Sequence, residues 1–174
     1  MEYLFETKHL RFRRFEILDA HSLYQNHLED EMKQWIPNES YESIHETEQA
    51  INFYMSCVNK RQLPYVLAVE RKENGILVGD TGVNLVQGSD DEVEIGYSVC
   101  KKHSGNGYGT EIVMGITDYI KKVLGIHVLY GRVMKGNVAS IRVMEKSGYV
   151  FIEEELGAED DPYGMGILVF RNVV

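Results

Sequence analysis

From Val93 to Leu124 the chain reads as strand, glycine-rich turn and long helix, and no other stretch limits its architecture as much. β-Branched and aromatic residues fill Val93-Glu94-Ile95-Gly96-Tyr97-Ser98-Val99, a strand pattern that breaks at His103-Ser104-Gly105-Asn106-Gly107-Tyr108-Gly109. Beyond it Ile112, Val113, Ile116, Tyr119, Ile120, Val123 and Leu124 share one face at helical spacing, which predicts a helix stopped by Gly125. Glycines at alternate positions, Gly105, Gly107 and Gly109, permit positive φ and let a ligand approach the backbone. Amides that converge before a first helical turn form an anion site, helped by the positive end of the helix dipole. The chemistry implied is phosphate or pyrophosphate binding, with a plain strand-to-helix turn as the alternative.

The loop is no Walker loop, because no Gly-Lys-Ser/Thr ends it, and no dinucleotide fingerprint, because Thr110 stands three residues after Gly107. Taken together, Glu94-Ile95-Gly96-Tyr97, Gly105-Asn106-Gly107-Tyr108-Gly109-Thr110-Glu111 and the run from Asn137-Val138-Ala139-Ser140 to Lys146-Ser147-Gly148-Tyr149 resemble the GNAT superfamily of acyl-CoA-dependent N-acetyltransferases. Thr7-Lys8-His9-Leu10-Arg11-Phe12-Arg13 and Asp19-Ala20 extend the likeness to the branch that acetylates ribosomal-protein N-termini. The resemblance implies that the loop binds the pyrophosphate of coenzyme A. It assigns that binding to Ser104, Gly105, Asn106, Gly107, Tyr108, Gly109 and Thr110, with Ser98 and Val99 at the strand end and Asn137 as the coenzyme-contacting asparagine. Ser104 stands where the family pattern usually has Arg or Gln, so phosphate binding there rests on backbone amides.

At 174 residues the length prior gives one domain, residues 1–174, able to bury roughly 70% of its unfolded surface. Neither an apolar run near membrane-spanning length nor a secretory leader pattern is visible, and the two cysteines suit a reducing compartment, so a cytoplasmic protein is expected. A net charge of −9 argues against nucleic acid as a partner and favours cations, an amine substrate among them. The six histidines lack metal-ligand spacing, so no metal is expected. A homodimer stays open.

Leu4 to Arg13 suggests a first strand, and Asp19-Ala20 opens a helix carrying Leu23, Tyr24 and Leu28. Ser43-Ile44-His45-Glu46 reads as a capping box, ahead of a helix that would turn Ile44, Ile51, Phe53, Tyr54, Met55 and Val58 inward. Strands follow at Tyr65–Glu70 and Gly75–Leu85, with Asn74-Gly75 as a hairpin signal. After the central helix come a strand at His127–Val133, a helix capped by Asn137 and closed by Gly148, and strands at Tyr149–Glu155 and Met165–Val173. The fold class is α/β, a mixed and largely antiparallel sheet flanked by helices.

Acyl transfer from a thioester to an amine needs a neutral nucleophile, a stabilised oxyanion and a departing thiolate. An alkyl amine of pKa near ~10.4 is only about 0.04% neutral at pH 7, against roughly a tenth for an α-amine, so a base matters most for side-chain amines. Glu94, in the strand feeding the loop, is the candidate base by resemblance; Glu92 on the same face competes, and Asp80 follows. Many family members carry a tyrosine acid where this chain has Met144, and the resemblance moves that role to Ser140. Cys100 is unnecessary if transfer is direct. Glu153-Glu154-Glu155 and Glu159-Asp160-Asp161 are solvated faces or recognisers of a cationic substrate. The expectation is an acetyl-CoA-dependent N-acetyltransferase acting on a protein N-terminus, a polyamine or a small amine. An idle acyl-CoA sensor and an interaction module are the rivals.

Overall fold

The computed structural model describes residues 2–157 and 164–173. Strands β1 (Tyr3–Glu6) and β2 (Leu10–Arg13) form a hairpin, closed where the Thr7 N–H donates to the Leu10 carbonyl at 2.9 Å. The single strand expected there is thus two. Helices α1 (Ala20–His27), α2 (Asp30–Trp35) and α3 (Ile44–Asn59) follow. Ser43 caps α3 by accepting the Glu46 N–H at 3.1 Å, whereas the Glu46 carboxylate takes the N–H of Glu42, so only half of the expected box forms. On α3 Thr47, Ile51, Cys57 and Val58 are buried, while Ile44 and Phe53 are exposed. The correction follows from geometry: Phe53 lies two residues, about 200°, from Ile51, and Ile44 sits in the uncovered first turn.

Strands β3 (Tyr65–Arg71), β4 (Leu77–Leu85) and β5 (Glu92–Val99) then form an antiparallel meander. Its first turn is longer than a two-residue hairpin: Gly75, at φ +67°, donates its N–H back to the Arg71 carbonyl. Helix α4 (Tyr108–Tyr119), extended by a π turn to Leu124, crosses over to β6 (Val128–Met134); α5 (Val138–Lys146), β7 (Val150–Glu155) and β8 (Ile167–Val173) complete an eight-stranded sheet in the order β1-β2-β3-β4-β5-β6-β8-β7. Among the described residues only β5 and β6 pair in parallel, as a helical crossover requires.

Period-2 alternation divides the core between the two faces of the sheet. Tyr65, Leu67 and Val69 join Ile112, Ile116 and Met144 under α4 and α5; Ala68 joins Phe15, Leu23 and Ile51 under α1 and α3. The parallel pairing of β5 with β6 spans only Glu92↔Val128 to Ile95↔Gly131, although β5 continues to Val99 and β6 to Met134. The two strands separate from Gly96 and Arg132 onward. That opening positions the site.

Candidate active site

The loop that leaves β5 is held by its own side chain. Asn106 Nδ2 donates to the carbonyls of His103 at 2.9 Å and Ser104 at 3.2 Å, while Gly105 and Gly107 both sit at φ +79°. Gly107 is the N-cap of α4 and no side chain caps that end, so the first-turn amides keep no side-chain partner. Glu111 in the same turn would repel an anion. Its carboxylate is instead drawn towards the β1–β2 hairpin, accepting from Thr7 Oγ1 and the His9 N–H at 2.6 Å each. Burial opposes its charge, but those bonds prevail and hold its pKa below the usual range.

A cavity of about 620 Å³ runs from this loop into the strand opening. Ser98, Val99, Ser104, Gly105, Gly107, Tyr108, Gly109, Thr110, Asn137 and Ser140 of the expected set line it; Asn106 does not, being committed to closing the loop. Arg142 and Lys146 of α5 also line it and make no ion pair among the described residues. Nothing local in the sequence singles them out, because only α5's packing against the loop brings them to the cavity. The Ser98 hydroxyl is committed elsewhere, donating to Asp80 Oδ2 at 2.6 Å.

Asn137 caps α5, its Oδ1 accepting the Ser140 N–H at 3.1 Å. Ser140 Oγ in turn accepts from the Tyr97 hydroxyl at 3.1 Å, a residue the sequence pattern had left as part of a strand. Met144, at the position where the resemblance looks for a tyrosine, is buried in the core. The Cys100 thiol is fully buried, and burial, with Glu29 and Asp80 nearby, pushes it up to about 12, far from a thiolate.

On the other face of the sheet lies a second cavity of about 430 Å³, walled by His27, Tyr41, Tyr54 and Asp80. Its floor is Gly82 opposite Gly96, in register on β4 and β5. A Cβ on Gly96 would meet nothing within 4 Å, and one on Gly82 would meet only Val66 Cγ2 at 3.9 Å. The missing side chains are the space. Gly96 and Tyr97 line both cavities, so the two meet where the strands part.

His27 Nδ1 lies 2.8 Å from the Glu39 carbonyl and Nε2 lies 3.1 Å from Asp80 Oδ2. Burial works against the imidazolium, yet Asp80 outweighs it and pushes His27 up to about 9, so both ring nitrogens donate at neutral pH. A histidine raised in the fold stabilises fully below its ordinary value near ~6.5, and that contribution disappears as pH climbs through about 9. We expect thermal stability to fall between pH 6.5 and 9.5 by about 3 kcal/mol, the shift converted at 1.36 kcal/mol per unit. His27→Gln should flatten that slope; an unchanged slope in a pH series of thermal melts would contradict the ion pair.

Glu94 lies on the same face, opposite Asn84 and two residues before Gly96. Its side chain is 41% exposed, 3.9 Å from Arg132 Nε, and lines neither cavity, although Asn84 and Gly96 beside it line the second. Burial raises its pKa, against the pull of Arg132 and with Glu155 and Glu39 adding to the rise. Glu92, further from the opening, accepts from Tyr130 at 3.4 Å. Glu154 pairs with Lys135 and Glu155 with Arg132, while Glu159-Asp160-Asp161 lie outside the described residues. Among the described residues no group of three His, Cys, Asp or Glu is placed to hold a metal ion, and no helix is long and apolar enough to cross a membrane.

Known proteins resemble this chain in sequence and in fold. The description "Acetyltransferase (GNAT) domain" matches residues 9–150. An uncharacterized N-acetyltransferase of Bacillus subtilis, YoaA, is 27% identical over 150 residues, covering 84% of this chain and 82% of its own. In fold, the ribosomal-protein-S5-alanine acetyltransferase of Vibrio fischeri superposes with a TM-score of 0.83 at 16% identity, covering 97% of this chain and 95% of the other. The spermidine N-acetyltransferase of Vibrio cholerae, solved with CoA and spermine, gives 0.80 at 18% identity, covering 94% and 95%. With an amide-lined loop opening onto parted strands, and a family match across most of its length, this chain belongs to the GNAT acetyltransferase family.

Proposed function

We propose that residues 1–174 form one cytoplasmic N-acetyltransferase domain that moves an acetyl group from acetyl-CoA to a primary amine, cationic in solution. The observation that carries this is the meeting of two cavities, one on each face of the sheet, at Gly96 and Tyr97. Uncapped amides at α4 and the unpaired cations Arg142 and Lys146 fit a pyrophosphate, and the cavity's course from the loop into the strand opening fits a pantetheine arm. Acetyl-CoA, when bound, supplies the acyl group as a thioester.

The chain's own residues do the rest. Amides from Gly105 to Thr110 hold the phosphates, and Asn137 fixes the α5 end of the cavity. Glu94 accepts the proton that the ammonium must lose, and Ser140 donates to the leaving sulfur. Asp80, Tyr41 and Tyr54 line the opposite cavity with acceptors for an ammonium. A protein N-terminus, a polyamine and a small amine all present that group. The solved relatives named for a ribosomal protein and for spermidine lend support to the first two.

An acceptor screen with acetyl-CoA, read by free thiol and by product mass, tests the proposal. A primary amine gaining one acetyl group with matching CoA release is the expected result. Coenzyme binding without turnover on any amine would overturn it in favour of a sensor. Gly82→Val should separate the two cavities: valine suits a strand, its Cβ meets nothing closer than Val66 Cγ2 at 3.9 Å, and its added bulk stands at the floor of the second cavity. The KM for the amine should rise about tenfold or more, with CoA affinity and thermal stability held. An unchanged KM would move the amine elsewhere.

A further inference from the structure

We propose that Tyr97 is a positioning residue for the proton donor, holding the Ser140 hydroxyl so that its hydrogen points into the coenzyme cavity. The inference rests on the acetyltransferase reading above. The Tyr97 hydroxyl donates to Ser140 Oγ at 3.1 Å, which occupies an acceptor site on the serine and turns the serine's own hydrogen away from the phenol. Among the described residues the Ser140 hydroxyl makes no bond back to its helix, the usual fate of a serine at such a place, and it lines the cavity.

The ring is seated for this. An ideal Cβ on Gly109 would stand 3.0 Å from Tyr97 Cε2 and 3.3 Å from Val143 Cγ2. The third glycine of the loop therefore makes room for the aromatic ring, which is a different use from the positive φ of Gly105 and Gly107. It also explains a glycine inside the first turn of α4, where helix propensity alone would disfavour it. Burial keeps the phenol's pKa raised, so it stays a neutral donor at working pH. Met144, at the family's tyrosine position, faces Gly131 in the core and offers no hydroxyl. A tyrosine is thus restored to the site from β5. In the transfer step the C–S bond breaks as the Ser140 O–H gives its proton to the departing sulfur, and the serine regains a proton from solvent; the phenol keeps its own proton throughout and orients the donor.

A double-mutant cycle on steady-state kinetics decides the matter. Tyr97→Phe removes one oxygen and should lower kcat about fivefold, the worth of one net hydrogen bond, with acetyl-CoA affinity unchanged. Ser140→Ala should cost about tenfold to a hundredfold. The double variant should match Ser140→Ala alone within about twofold. A tyrosine that merely packs predicts the opposite: losses that multiply, or a Tyr97→Phe defect shared between coenzyme affinity and thermal stability. Either outcome overturns the inference while wild-type turnover keeps the acetyltransferase reading intact; a wild type that acetylates no amine overturns both. Should Tyr97→Phe fail to fold, Gly109→Ala presses on the same ring. It must lower kcat in the wild-type background and have no further effect beside Ser140→Ala; an equal loss in both backgrounds overturns the inference.

Discussion

Glu94→Gln should lower kcat for an alkyl amine by about 10²–10⁴-fold while leaving coenzyme affinity near wild type, the range that general-base assistance contributes. The substitution keeps the shape of the side chain and removes only its basicity. Its structural cost should be small, because the contact with Arg132 is 3.9 Å long between side chains 41% and 36% exposed, and such pairs contribute about 0–1 kcal/mol. Burial raises the Glu94 pKa, so the acidic limb of kcat/KM should lie above the ordinary carboxylate range and vanish in the variant. The loss should shrink at high pH and for α-amines, both of which need less help in losing a proton. Normal turnover of an alkyl amine at pH 7 by Glu94→Gln would remove the role from Glu94. Glu92 would inherit it only if Glu92→Gln shows the missing limb.

Gly107→Val should weaken CoA binding by about 100-fold or more. Gly107 sits at φ +79°, where a β-branched residue costs about 1–3 kcal/mol, and it is the residue from which α4 starts. Its Cβ would meet nothing within 4 Å, so the damage is conformational: a shift to negative φ would redirect the first-turn amides proposed to hold the pyrophosphate. Thermal stability should fall by about 2–12 °C, as about 1–3 kcal/mol does in a chain of this size. Gly107→Asn, which tolerates the left-handed region, should retain part of the affinity. Calorimetric titration with CoA checks both; affinity unchanged in the valine variant would detach the loop from phosphate binding.

The elements that carried a local signal were legible before any coordinates. Strand, glycine loop and helix from Val93 to Leu124 show themselves through period and through glycine spacing, and the α5 cap through Asn137. What the chain hides is register. Nothing local in Gly96 or Arg132 announces that β5 and β6 part there, because the ladder's end depends on how two strands far apart in sequence are placed. The same holds for the Gly82–Gly96 floor, for Tyr97 meeting Ser140 forty-three residues on, and for His27 of α1 closing on Asp80 of β4. On α3 the inward face is legible only in part: Ile51 and Val58 turn inward, but Phe53 lies about 200° from Ile51 and Ile44 sits in the first turn, and both are exposed.

Initial rates over a grid of acetyl-CoA and amine concentrations test the account most directly. Direct transfer across the junction at Gly96 and Tyr97 requires both substrates at once, so double-reciprocal lines should intersect, with one CoA released per amine acetylated. Cys100, buried with its thiol pushed up to about 12, should carry no acetyl group when the protein's mass is measured after incubation with acetyl-CoA alone. Parallel lines, together with an acetylated protein in that control, would contradict the account.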